Sequence, residues 1–182
     1  MLLRTPFMQE PTQLSTEIAA RDDFVASQPQ LLGARAVRAL VWARWLYGAY
    51  FLLAGLYKLF RGLLWTGELK EMFVQRLTEI PPTSFAALYL TEFGIPMNVP
   101  ITWVVVIGQL SVGVGCLAGI ALRLNMVLGL FIAVNIGLGG FYNPALIPFL
   151  VLPVLVLMFP ATRAPGLDAR LSARYPNSIL FR

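Results

Sequence analysis

The chain has no histidine and a single cysteine. Without histidine it lacks the commonest general base, proton shuttle, metal ligand and haem ligand. The lone Cys116 forms neither an internal disulfide nor a thiolate metal site, and reads as a small buried hydrophobe. Charge is scarce too, at 13% of residues against 58% hydrophobic, where a soluble domain carries about 25% charged residues. No carboxylate falls inside any long apolar run, and proton-driven carriers usually depend on one. Ser–His, Cys–His and paired-acid constellations are missing as well. These gaps disfavour a self-sufficient hydrolase or redox enzyme, and no metal site is expected.

Four nearly charge-free apolar runs are present instead: Val41–Phe60, Ile101–Leu122, Leu124–Gly140 and Ala145–Phe159. A hydrocarbon core of ~30 Å takes about 20 helical residues to cross. The first two runs reach that length and the third nearly does. The fourth needs its flanks, Tyr142–Pro144 and Pro160–Ala161. The expected fold is therefore all-α, a bundle of four transmembrane helices over residues 37–161. Residues 1–36 form a polar lead-in and residues 162–182 a tail. The lead-in lacks the apolar core of a secretory signal, so the first membrane helix is expected to act as the uncleaved insertion signal. Between Pro11 and Pro29, Leu14, Ile18 and Val25 recur at helical spacing over Ser15–Ser27. That pattern suits a membrane surface, a partner subunit or a plain flexible tail.

The net charge of +5 does not point to nucleic acid, because the basic residues flank the runs without interleaved aromatics. Ten lie on one side: Arg4, Arg21, Arg35, Arg38, Arg44, Arg123, Arg163, Arg170, Arg174 and Arg182. Four lie opposite: Lys58, Arg61, Lys70 and Arg76. Excess positive charge marks the cytoplasmic side. Both termini are thus expected in the cytoplasm and the protein in the inner (plasma) membrane.

Residues 61–100 form the outer-surface segment between helices one and two. Leu69, Met72, Phe73, Leu77 and Ile80 make an apolar stripe, with Glu68, Lys70, Glu71, Gln75 and Glu79 elsewhere. This is an amphipathic surface helix that Pro81-Pro82 ends. Ser84 then caps a second helix, Phe85 to Phe93, ending at Gly94.

The candidate site residues come from the membrane runs. Arg44, Gly48, Gly55 and Lys58 share one face of helix one. The glycines admit a close helix. Arg44 and Lys58, roughly 21 Å apart along the axis, are either snorkelling anchors or contacts for an anionic group. On helix two, Gln109, Gly113, Cys116, Ile120 and Arg123 form one stripe, and Ser111, Gly115 and Gly119 a second, small-residue one. Gln109 lies ~12 Å deep from one side and Asn135 ~16 Å from the other. Both therefore fall near the midplane, with Tyr50 at a similar level. A buried amide needs a partner. Either Gln109 and Asn135 bond each other, or they face a cleft and bond a ligand carbonyl such as a quinone head.

The ordered pieces RWLYGAYFLLAGLYKLF (44–60), FGIPMNVP (93–100), GQLSVGVGCLAGIALRLN (108–125) and APGLDARLSARYP (164–176) resemble the DoxX family of four-helix membrane proteins. That family includes the DoxD subunit of thiosulfate:quinone oxidoreductase. The resemblance covers roughly residues 40–175. It implies a link to quinone-coupled redox systems or membrane oxidoreductase complexes. The family often has glutamate where this chain has Gln109, so a proton step at that carboxylate would be lost here. Three functions follow as expectations. The first is an accessory membrane subunit of a larger quinone-linked electron-transfer complex, contacting quinone, lipid or pigment and other subunits. The second is a DoxD-like catalytic subunit, with Lys58 and Arg61 as anion contacts. The third is a small solute or lipid transporter, which would want symmetric helix breaks. Pro148 and Pro153 interrupt only the fourth helix.

Overall fold

The computed structural model describes residues 33–159, 166–168 and 171. The helical pattern at Ser15–Ser27 lies outside the described residues. Among those residues the structure is all helical. Its helices are α1 (Ala34–Phe60), α2 (Leu63–Thr66), α3 (Glu68–Glu79), α4 (Phe85–Tyr89), α5 (Asn98–Ala118), α6 (Leu122–Leu138) and α7 (Leu146–Met158). A π-helical turn, Leu90–Gly94, continues α4.

Among the described residues, two helices are long and apolar enough to cross a membrane: α1 with 27 residues and α5 with 21. The other two apolar helices are shorter, α6 with 17 residues and α7 with 13. At 1.5 Å per residue they span ~26 Å and ~20 Å. Helix α1 begins at Ala34, ahead of the Val41 expected from hydropathy. Its first turns are helical but carry Arg35 and Arg38. Helix α5 ends at Ala118, because Gly119 turns into the left-handed region at φ 66°. Ile120 and Arg123 therefore leave the stripe they were expected to share with Gln109, Gly113 and Cys116.

Helices α1, α5, α6 and α7 pack in a ring in that order, with α7 returning to α1. Their common core holds Tyr47, Phe51, Val112, Cys116, Met126 and Ile132. Pro148 falls in the first turn of α7, where no intrahelical N–H is lost. Pro153 sits in the interior of α7, buried, where it removes one ladder bond to the carbonyl four residues earlier.

Two glycine contacts set the α1–α5 distance. A Cβ on Gly113 would lie 2.6 Å from the Leu52 backbone nitrogen, and one on Gly48 would lie 2.8 Å from the Cys116 Cβ. Gly55 meets Leu110 in the same interface. Gly115 faces Asn125 on α6 instead, and Gly119 faces Gly166 of the tail. The two small-residue stripes of α5 thus serve different neighbours.

The segment between α1 and α5 builds a second cluster at one end of the ring. Leu69 and Phe73 of α3 pack with Leu90, supported by Leu77, Ile80 and Phe141. Ser84 caps α4, its Oγ accepting from the Ala87 N–H at 3.2 Å. Arg76 locks α3 to the α6–α7 connection. Its Nε and Nη2 both donate to the Gly140 carbonyl, and its guanidinium lies 5.3 Å from the Phe141 ring centroid. Arg76→Ala should cost ~1–2 kcal/mol and raise hydrogen exchange in α3. Arg76→Lys should not restore protection, because an ammonium lacks the planar fork. Unchanged exchange in both variants would mean that apolar packing alone holds α3.

Candidate functional site

The apolar end cluster does not close completely on the ring. A chamber of about 250 Å³ remains between α3 and α4 on one side and α5 and α6 on the other. Its walls are mostly apolar, including Leu69, Phe73, Val105 and Ile132. Four residues bring polar groups to it: Lys58, Gln109, Tyr89 and Asn135. They form two pairs. Lys58 Nζ donates to Gln109 Oε1 at 2.9 Å. The Tyr89 hydroxyl donates to Asn135 Oδ1 at 2.6 Å.

The pairing differs from the expected Gln109–Asn135 bond. Both amides reach the same chamber, but each takes a partner from another element. Gln109 bonds the cation of α1, and Asn135 bonds the phenol of α4. Asn135 also anchors itself, its Nδ2 donating to the Phe131 carbonyl one turn back at 2.8 Å. Burial raises the Tyr89 hydroxyl above its ordinary pKa. It therefore stays protonated near neutral pH and keeps donating. With its carbonyl held by Lys58, Gln109 offers its NH₂ group as a donor.

A second chamber of about 160 Å³ lies between α1, α5, α6 and α7. Tyr50, Phe149, Asn143 and Ala133 line it, and Lys58, Gln109 and Ile136 belong to both chambers. The Lys58–Gln109 bond thus stands in the shared wall. Tyr50 packs on Phe149, with ring centroids 4.6 Å apart, and reaches the smaller chamber only.

Arg44 is not part of this site. It is fully buried and lines neither chamber. Of the two roles expected for it, snorkelling anchor or contact for an anionic group, the first does not fit its burial in the ring. Arg61 also lies apart. It pairs with Glu68 at 3.1 Å and donates to the Tyr57 hydroxyl at 3.0 Å. Arg61 lines neither chamber, so it does not join Lys58 there.

Two polar anchors escaped the sequence reading. Asn125 is buried, accepts from Ser111 Oγ at 3.0 Å, and donates to the carbonyls of Ile120 and Ala121. Asp168 of the tail accepts from the Ala121 and Leu122 N–H groups at 2.7 and 2.9 Å. Its own N–H donates to the Gly119 carbonyl at 2.8 Å. The signal for Asp168 was the turn at residues 119–121, Gly-Ile-Ala, which offers no Ser, Thr, Asp or Asn to cap the next helix.

Comparison with known proteins adds no assignment: no family model matches the sequence, and no curated protein or solved structure matches the chain.

Proposed function

We propose that this chain is an accessory integral-membrane subunit of a quinone-linked electron-transfer complex, holding a quinone or a lipid in the larger chamber. In this reading α1, α5, α6 and α7 cross the inner membrane with both termini cytoplasmic. Helices α3 and α4 then lie on the outer surface as a cover over the chamber. The outer face of α1 supports the membrane setting. Trp42, Leu46, Tyr50, Leu53, Tyr57 and Phe60 are all exposed along it, and a patch of that kind in water would be a large apolar liability. The short α6 and α7 require a locally thinned bilayer or help from their flanking residues. The DoxX-like sequence pieces support the link to quinone-coupled systems.

The observation that carries the reading is the chamber with its two polar pairs. An apolar cavity with a few convergent polar groups is the usual form of a small-molecule site. The fit to a quinone rests on the donor set. The Lys58 ammonium has three N–H groups, of which Gln109 takes one, and the Gln109 NH₂ adds more. Both suit a carbonyl oxygen. A quinone, when bound, would supply the electron chemistry. The protein residues bind its head, orient it and keep water from the apolar wall. The described lining contains no carboxylate or thiol, which favours holding a molecule over transforming it. The catalytic alternative would use Lys58 at the chamber and Arg61 outside it.

A mild-detergent purification of the tagged native protein, with mass spectrometry of proteins and extracted lipids, quinones and pigments, tests this. Stoichiometric recovery with several membrane redox subunits is the expected result. Recovery alone with bound quinone, and quinone reduction by the isolated chain, would overturn it in favour of the DoxD-like catalytic reading.

A further inference from the structure

We propose that the molecule held in the larger chamber is an acid: a single-chain amphiphile whose anionic head is gripped by Lys58. This rests on the reading of that chamber as the site of an apolar-tailed molecule, and it selects among the heads that reading allows. The argument starts from charge. Lys58 is half-buried and its partner, Gln109, is neutral. A charge drawn from water into apolar surroundings calls for an opposite charge. The described carboxylates are committed or remote. Glu68 pairs with Arg61, Glu79 pairs with Arg76, and Asp168 caps α6. Glu71 and Glu92 are exposed, and among the described residues no carboxylate lines either chamber.

The surroundings of Lys58 set the rest of the ligand. On one side lies the apolar chamber of about 250 Å³. On the other lies the smaller chamber, where Tyr50 and Asn143 add polar groups. A head at the shared wall therefore meets Lys58 and Gln109, while a tail runs among Leu69, Phe73 and Val105. The larger chamber falls just below the ~300–1,000 Å³ of drug-sized sites, which suits one chain and not two. The Gln109 NH₂ gives the head a second donor. A free phosphate or other small anion would leave the apolar volume unfilled.

The test uses the full chain in phosphatidylcholine nanodiscs, with empty nanodiscs as the background. Radiolabelled dodecanoate, dodecyl phosphate and dodecanol are compared for saturable, stoichiometric binding. At least one of the two acids should bind about tenfold or more tighter than the alcohol, the worth of one charge-assisted hydrogen bond. A tighter carboxylate identifies a fatty acid as the source and a tighter phosphate a lysolipid-type acid; both support the proposal. Lys58→Met should bring acid and alcohol within about twofold while dodecanol binding persists, and Lys58→Arg should restore much of the gap. Equal binding of acid and alcohol to the unsubstituted protein would overturn the acid-headed proposal and leave a neutral, quinone-like head. Saturable binding of none of the three would overturn the proposal together with the ligand chamber itself. The comparison within the unsubstituted protein stands even if a Lys58 variant does not fold.

Discussion

Gly113→Ala should destabilise the protein by about 2–3 kcal/mol or more, the upper range for overpacking a close-packed interface. The added methyl would sit 2.6 Å from the Leu52 nitrogen and 2.7 Å from its Cα. These are backbone atoms of a facing helix, so no rotamer change relieves the clash. Helices α1 and α5 must separate, and that separation also loosens Gly48 against Cys116 in the same interface. In the proposed membrane setting there is little hydrophobic drive between helices, so close backbone approach would carry much of their association. Gly137→Ala on α6 provides the contrast. Its methyl would meet only the Leu146 Cδ2 at 3.5 Å, an ordinary contact. That change should be neutral or stabilise by ~0.5–1 kcal/mol through helix propensity. Unfolding of purified protein in mixed micelles, followed by circular dichroism as the SDS fraction rises, separates the two. Matching midpoints for the two variants would show that the α1–α5 contact does not control stability.

Much of this interface was legible in the sequence. Gly48 and Gly55 on α1, and Gly113 on α5, recur at helical spacing within apolar runs, and spacing alone places small residues on one face. The amphipathic α3 and the Ser84 cap were equally readable, because both signals are local. The site was readable by level but not by partner. Depth along a helix put Gln109, Asn135 and Tyr50 at similar heights, yet it says nothing of rotation about the axis. Gln109 turned toward Lys58, and Asn135 turned toward an element outside the apolar runs. Tyr89 escaped notice because α4 was read as surface cover and not as a wall of the chamber. The π turn at Leu90–Gly94 was invisible for another reason. It shifts the register by one residue within a short helix, and a periodicity count over so few positions cannot detect it. Helix α2 spans only Leu63–Thr66 between two left-handed glycines, Gly62 at φ 73° and Gly67 at φ 69°. Its length is below what any hydrophobic period resolves.

Asp168→Ala should cost about 2–3 kcal/mol, because one carboxylate serves two N–H groups that have no other cap. The first N–H groups of a helix lack intrahelical partners, and α6 starts from Ala121 with no capping side chain of its own. The Asp168 carboxylate supplies the missing acceptor from 46 and 47 residues away in sequence. Hydrogen bonds to a charged group are worth ~1.5–3 kcal/mol each. The half-exposed position of Asp168 brings the pair toward the lower figure. The carboxylate also sits at the positive end of the α6 dipole, a further small gain. Asp168→Asn keeps one acceptor oxygen and should lose about half as much. Ala121→Gly should act in the opposite direction. Ala121 holds φ 46°, a left-handed conformation that costs a residue with a Cβ ~1–2 kcal/mol. Glycine removes that cost while leaving both N–H donors in place. The same micelle titration reads all three variants, and hydrogen exchange at the Ala121 and Leu122 amides localises the effect. Fast exchange at those two amides in Asp168→Ala, with slow exchange in Ala121→Gly, is the expected pattern. Equal protection in both would mean that the helix start is held by packing and that the tail contact is incidental. The tail therefore takes part in the ring's stability through one side chain at the turn that sets how α6 leaves α5. That turn also bears on the azimuth of Asn135, thirteen residues further along the same helix than Leu122 by number, and with it on the polar wall of the larger chamber.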